Sequence, residues 1–302
     1  MEHVSVDLWA ANLQVASPDL ASWLAQLEAR MADAAARGVH LLVLPEFCCA
    51  QWLAFAPIDL DPSLTLKWLA DTGLIAMDAM KAMAVQYGVS LIPGTIPFEE
   101  TGPDGQPGFR NRAWLLTPDG AAHCQDKLSL TPLEANGAGG VTLAGDSIQV
   151  IQWNGLRIAI AICLDAEYTA LWSRLGELDL DMVIIPAKTD MITGYNRVFG
   201  CARARAIELQ TVICAVGAVG APLTHPAEDT GMGGAAVYLP CDVSVSLDGV
   251  FAATPAQSGA LGDNGVLRAV GIPVGLCRAL RNGYAEAELR PALWSADHLA
   301  VI

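Results

Sequence analysis

Three side chains capable of covalent or acid–base chemistry each stand at the end of an apolar run. Cys163 closes the run Arg157-Ile-Ala-Ile-Ala-Ile-Cys163, and Leu164-Asp165-Ala166-Glu167 follows. A thiol at a strand-to-helix junction meets unpaired backbone N–H groups, which favour a thiolate and can hold an oxyanion. The same position also suits an inert buried cysteine, a common state of free thiols. Glu46 ends Leu41-Leu-Val-Leu-Pro-Glu46. A carboxylate at the tip of a buried strand is costly to desolvate unless it is paired or used; just beyond the strand it would be an ordinary surface acid. Lys127 opens Lys127-Leu-Ser-Leu-Thr-Pro-Leu-Glu134. It reads either as a fixed positive charge in a site or as half of a solvated pair with Glu134.

A fourth stretch, Thr189-Asp190 with Gly194-Tyr195-Asn196-Arg197, runs into Arg203-Ala-Arg-Ala-Ile-Glu208. The arginines read best as partners of Glu208 and nearby acids, while Gly194 and Tyr195 could line a cleft. Asp190 and Glu167 could draw an amine-bearing substrate, or serve as structural acids beside Lys188 and Arg197. Histidines 3, 40, 123, 225 and 298 are scattered without ligand spacing, and the eight cysteines form no CxxC pair. No metal or other cofactor is expected.

The elements that must position these groups alternate between short apolar strands and amphipathic helices. Residues 4–13 read as a strand. Ser17-Pro18-Asp19 starts a helix with a capping hydroxyl, a first-turn proline and an acid at the positive dipole end. That helix carries Leu20, Trp23, Leu24, Leu27 and Met31 on one stripe, and Gly38 ends it. Residues 40–44 form a buried strand, 64–87 a helix with Gly73 as a candidate break, and 90–98 a strand. Residues 101–108 form a hairpin tip; strands 112–117 and 121–127 meet at Pro118-Asp119-Gly120, and 148–153 and 156–163 at Asn154-Gly155. A helix at 167–175, a strand at 182–186 and a helix at 196–210 come next. Strands at 212–219, 235–239, 243–247 and 266–272 follow, with a weak helix at 285–293. Hairpins mixed with crossovers indicate a layered α+β fold, and no composition shift divides residues 1–302, so a single domain is expected.

Composition excludes several classes. Apolar residues make up 53% of 302 and charged residues 16%, too apolar for disorder. The net charge of −15 argues against partners rich in phosphate and against anionic membranes, so neither nucleic acid nor a membrane is an expected partner. No run approaches the ~20 apolar residues of a membrane span. The first seven residues lack a basic and apolar leader pattern, so reduced thiols and a cytoplasmic location are expected.

Together, Glu46 after its strand, Lys127 in Lys-x-x-Leu-Thr-Pro-x-Glu, and Cys163 in Ile-Cys-x-Asp-x-Glu-Tyr resemble the signature of the nitrilase superfamily of carbon–nitrogen hydrolases. The resemblance extends over nearly the whole chain. It implies a four-layer α-β-β-α sandwich, a homodimer or larger assembly, and no cofactor. It also implies Cys163 as nucleophile, Glu46 as general base, Lys127 as the cation at the tetrahedral intermediate and Glu134 as a second glutamate. The backbone N–H of Leu164 would join Lys127 at the oxyanion, and Glu167, Asp190 and Tyr195 would contact substrate. The expected reaction is hydrolysis of a small-molecule amide or carbamoyl compound through a thioester. Nitrile hydrolysis, acyl transfer to an amine and a non-catalytic scaffold are the alternatives. Thr189-Asp190 with Gly194-Tyr195-x-Arg197-Val198 is similar to a subgroup often fused to an acetyltransferase domain, for which 302 residues leave no room. Two departures stand out. Tyr168 is followed by Thr169-Ala170 where the family often has Pro-Glu, and residues 215–220 lack the family's Asn-Arg.

Overall fold

Leu41-Leu-Val-Leu44 is apolar at every position, as a strand covered on both faces requires. In the computed structural model, which describes residues 1–103, 105–137, 140–222, 231–258 and 265–285, that is its setting. Leu41 and Val43 face a second sheet and join Ile158, Ile160 and Ile184. Leu42 and Leu44 face the opposite way, into a helical layer with Trp23, Leu27, Met31 and Met80. The period of two along one strand thus serves both a sheet–sheet core and a sheet–helix core.

The first sheet contains β1 (Val4–Trp9), β2 (Leu41–Val43), β3 (Ser90–Ile92), β4 (Thr95–Thr101), β5 (Pro107–Leu116), β6 (Ala122–Asp126) and β7 (Thr142–Leu143). The second contains β8 (Ile151–Trp153), β9 (Leu156–Ile160), β10 (Met182–Ala187), β11 (Val212–Gly217), β12 (Ala235–Tyr238) and β13 (Val250–Ala253). The last strand, β14 (Val266–Ile272), returns to the first sheet and pairs with β1. The first sheet runs β14-β1-β2-β3-β5-β4, with β6 and β7 also on β5, and the second runs β13-β12-β11-β10-β9-β8. Helices α1 (Leu20–Ala36) and α2 (Thr65–Tyr87) cover the first sheet, and α4 (Thr169–Leu175) and α5 (Ile192–Leu209) cover the second. A single turn, α3 (Pro132–Ala135), lies beside β7. The architecture is the four-layer α-β-β-α sandwich. No helix among the described residues is long and apolar enough to cross a membrane.

Several local expectations need correction. The α1 cap is Asp19, whose carboxylate accepts from the Ser22 N–H, rather than Ser17. Helix α2 is unbroken at Gly73, because that glycine serves packing. A Cβ there would lie 2.4 Å from the Ile96 side chain. The expected strand 90–98 is two strands, split at Pro93-Gly94. Residues 243–247 are not a strand; Asp242 closes a turn with Ser246, and Val243 and Leu247 point to solvent. Their apolar type suggested a strand, but the Asp242 carboxylate binds the Ser244 N–H locally and competes with sheet pairing. Helix α5 starts at Ile192, before the expected residue 196, so Gly194 and Tyr195 sit in its first turn. The expected helix at 285–293 falls outside the described residues beyond 285. The short helix α6 (Val274–Ala279), unforeseen, is held by Arg278, which donates to the buried Asp181 at 2.8 Å.

Gly94 has a φ of 83°, and a Cβ on it would lie 2.1 Å from the Pro45 carbonyl oxygen, one residue before Glu46. Gly94→Ala is therefore expected to cost about 3 kcal/mol or more. Gly88, at φ 65° with open space around it, should cost only about 1–2 kcal/mol when changed to Ala. Urea midpoints compare the two; equal losses would remove the clash at Pro45 as the reason for Gly94.

Candidate active site

Strands running in one direction deliver the candidate groups to one end of the sandwich. β1, β2 and β3 are parallel, as are β9, β10 and β11. Glu46 lies just past β2, Lys127 just past β6, Cys163 just past β9 and Lys188 just past β10. Ligands in open parallel sheets commonly bind beyond the carboxyl ends of strands, where loops are free to vary.

Lys127 is 2% exposed and its Nζ donates to Glu46 Oε1 at 2.8 Å and to Glu134 Oε2 at 2.8 Å. Glu46 is buried to the same degree, so the solvated-pair alternative for Lys127 does not describe it. Glu134 is set by a capping box: the Thr131 N–H and hydroxyl donate to its Oε2 at 2.8 and 2.9 Å, and its own N–H returns to Thr131 Oγ1. The proline after Thr131 fixes the first turn, and Thr-Pro-x-Glu is the sequence of that cap.

Glu46 belongs to both sheets. Its Oε2 accepts the Lys188 backbone N–H at 2.8 Å, while the Cys163 thiol donates to the Lys188 carbonyl oxygen at 3.4 Å. Cys163 is 5% exposed. Its φ is 49° and that of Phe47, beside Glu46, is 50°. Each left-handed non-glycine residue stores about 1–2 kcal/mol, here on both sides of the reactive groups. The Phe47 N–H donates to Thr95 Oγ1 at 2.9 Å, which clamps the turn from β4.

Two residues carry parts of the site that motif reading missed. Asn111, on β5, donates from one Nδ2 to Glu46 Oε1 at 2.9 Å and to Glu134 Oε1 at 3.0 Å, while its buried Oδ1 has no partner. An asparagine inside an alternating strand gave no signal beyond being polar at an inward position. Asp165 is fully buried and accepts from the N–H groups of Ile162, Leu128 and Ser129 at 3.0, 3.3 and 2.7 Å. It thereby staples the Cys163 turn to the segment after Lys127. Its place in Cys-x-Asp was visible in the sequence, but the three donors were not.

The substrate-contact candidates divide. Leu164, Glu167 and Asp190 line a cavity of 350 Å³ at Cys163, along with Thr193, Gly194 and Arg197. Glu167 accepts from Arg197 Nε at 3.0 Å, and Asp190 from Lys188 Nζ at 2.5 Å. Tyr195 does not line it. One residue past Gly194 on the helix, it turns toward the layer beneath and stacks on Phe199, with centroids 4.1 Å apart. A second cavity, of 320 Å³, opens over Glu46, Lys127 and Glu134, and Thr131, Lys188 and Asp190 border both.

Charge in this site is set by burial and by the ion pairs. Burial pushes the Cys163 thiol well up and the Glu46 carboxylate adds to this, outweighing the opposing Lys127 charge. Its resting form is the neutral thiol. Burial opposes the Lys127 charge, but Glu46, Cys163 and Glu134 more than offset it and hold the ammonium protonated. Burial raises Glu134, yet Lys127 with the Thr131 and Asn111 donors brings it below its ordinary value. Two carboxylates and a cation thus stand near a protonated thiol, the arrangement needed to generate a nucleophile on demand and stabilise a developing oxyanion.

The chain is similar to several known proteins. The carbon-nitrogen hydrolase family model matches residues 10–254. The probable hydrolase YhcX of Bacillus subtilis is 29% identical over 212 residues, 70% of this chain. The chain spans only 40% of that relative's length. Among solved structures, XC1258 from Xanthomonas campestris has a TM-score of 0.69 at 20% identity over 94% of this chain and 96% of its own. An amidase from Nesterenkonia sp. has a TM-score of 0.65 at 20% identity, covering 93% of this chain and 96% of its own. The carbon-nitrogen hydrolase of Helicobacter pylori has a TM-score of 0.70 at 14% identity, covering 93% and 92%. These solved structures share the layered fold of this chain. The chain belongs to the carbon-nitrogen hydrolase family.

Two measurements follow from the charge arrangement. The ultraviolet thiolate band, taken as wild type minus Cys163→Ala, should show no step below pH 9; a step near pH 7 would mean a preformed thiolate. Because the folded Glu134 pKa is depressed, its stabilisation is full above the ordinary value of 4.5 and is lost as pH falls through the folded value. The stability gap between wild type and Glu134→Gln should therefore narrow only at pH below about 4. A gap that is constant from about pH 3 to 7 would remove Glu134 from the ion pair.

Proposed function

We propose that the enzyme is an amidase that hydrolyses a non-peptide amide or carbamoyl compound through a thioester on Cys163. The observation that carries this reading is the Lys127 ammonium, held at 2.8 Å from the Glu46 and Glu134 carboxylates in a cavity that adjoins the one at Cys163.

In the proposed reaction Glu46 takes the Cys163 proton as sulfur attacks the amide carbonyl carbon. Glu46 Oε2 has a lone pair left for this after accepting from Lys188. The carbonyl oxygen gains charge and is met by Lys127 and the N–H of Leu164. As the C–N bond breaks, Glu46 gives its proton to the leaving nitrogen. Water then enters and gives a proton to Glu46, and its oxygen attacks the thioester. The C–S bond breaks, and Cys163 recovers the proton. Glu134, with Asn111, keeps Lys127 on the oxyanion side throughout.

Relatives support the amide reading. Variants of the Nesterenkonia amidase are described in complex with acrylamide and with the acetamide moiety of fluoroacetamide on the active-site cysteine. XC1258 is described with an arsenic adduct in its active site. The same reading takes the protein as a cytoplasmic homodimer or larger assembly of single-domain chains. The Thr189-Asp190 and Gly194-Tyr195 features, and a relative much longer than the matched stretch, support kinship with the subgroup often fused to an acetyltransferase domain.

Cys163→Ala is expected to abolish amide turnover and leave the far-ultraviolet circular dichroism unchanged. Glu46→Gln should lower kcat by about 10²–10⁴-fold and Lys127→Ala by about 10²–10³-fold. Hydroxylamine added during wild-type turnover should yield the hydroxamate. Full activity of Cys163→Ala would overturn the mechanism, and a near-wild-type rate in either other variant would remove that residue from its role.

A further inference from the structure

The two cavities that meet at the catalytic centre differ in chemistry. The one at Cys163 is bordered by the Glu167–Arg197 ion pair and by Thr189 and Thr193. The one over Glu46 and Lys127 is walled by Phe47, Leu53, Leu66, Leu69, Leu133 and Pro222. Every charged group in the second cavity is already engaged by another: Lys127 by Glu46 and Glu134, and Lys188 by Asp190. A charged substituent entering there would lose its hydration and meet no counter-charge of its own. An apolar one would leave water and cover leucine surface. Leu133, on the single-turn helix that also carries Glu134, is 65% exposed at this cavity. At about 30 Å³ per water-sized group, 320 Å³ takes about ten non-hydrogen atoms.

We propose that the physiological substrate is an amide bearing an unbranched or lightly branched apolar substituent of up to about ten non-hydrogen atoms, which occupies the leucine-walled cavity, while its polar remainder faces Glu167 and Arg197. The proposal rests on the amidase reading and adds the substrate class to it. Leu66, Leu133 and Phe47 are then specificity residues. They act through apolar contact and leave bond-breaking to Glu46, Lys127 and Cys163.

The test compares kcat/KM along two series, primary amides from acetamide to dodecanamide and N-alkyl acetamides from N-methyl to N-decyl. The first places the apolar group on the acyl side and the second on the leaving amine. One of the two should rise by about fourfold per added methylene. It should level off once the substituent reaches about ten non-hydrogen atoms. Leu66→Glu and Leu133→Glu, both at positions open to solvent on one side, should make that series shallower, cutting the octyl member about thirtyfold more than the methyl member. Turnover of acetamide that needs Cys163, with both series flat, would overturn the apolar assignment and leave the amidase reading standing. A steep series that neither leucine variant flattens would also overturn it. Absence of turnover for every amide in both series would overturn the amidase reading, and this inference with it.

Discussion

One ammonium group, Lys127 Nζ, holds two carboxylates together where water barely reaches, 2.8 Å from an oxygen of each. Without it Glu46 and Glu134 would repel across a low-dielectric space, and without them a lysine so buried would lose its charge. The trio is stable only as a unit, and each member comes from a different element. Lys127 follows β6, Glu46 follows β2 and Glu134 sits in the capping box of α3. Asn111, from β5, closes the unit by donating to both carboxylates. The β5–β6 hairpin and its register are therefore as much a part of the site as the charged groups.

The Cys163 thiol arrives from the other sheet, so the proposed centre exists only when the two sheets dock. Polar stitches at the site cross that boundary. Glu46 accepts the Lys188 N–H beside the Cys163 strand, and Asp165 accepts the Leu128 and Ser129 N–H groups beside Lys127. Between the sheets lie Val6, Leu8, Val43, Ile158 and Ile184, whose burial fixes the spacing to which these bonds conform. Hydrophobic burial sets the distance between sheets, and the hydrogen bonds convert that distance into a defined position for sulfur relative to carboxylate.

Much of this was legible in the sequence because strand ends and turn chemistry are local. Apolar runs ending in Glu46 and Cys163, and Asn154-Gly155 with φ of 49° and 76°, mark strands and a hairpin without reference to the rest of the chain. The three-residue signature in order gave the family and the layered fold. What stayed hidden depends on distant partners. Asn111 is an ordinary polar residue until two glutamates from elsewhere converge on its amide. Gly73 looks like a helix break until Ile96 packs against it. Tyr195 looks like a cleft residue until the first turn of α5 stacks it on Phe199. Residues 243–247 misled because apolar type outweighed the local carboxylate-to-backbone bonds of Asp242.

The proposed catalysis requires a covalent intermediate at Cys163 formed beneath the Lys127 charge. Rapid-quench mass spectrometry of the wild-type enzyme during turnover of a reactive amide measures it directly. The predicted result is an early burst of protein heavier by the acyl group, mapped to the peptide containing Cys163 and decaying at the turnover rate. Steady product formation with no acylated protein, or acylation at another residue with matching kinetics, would contradict it.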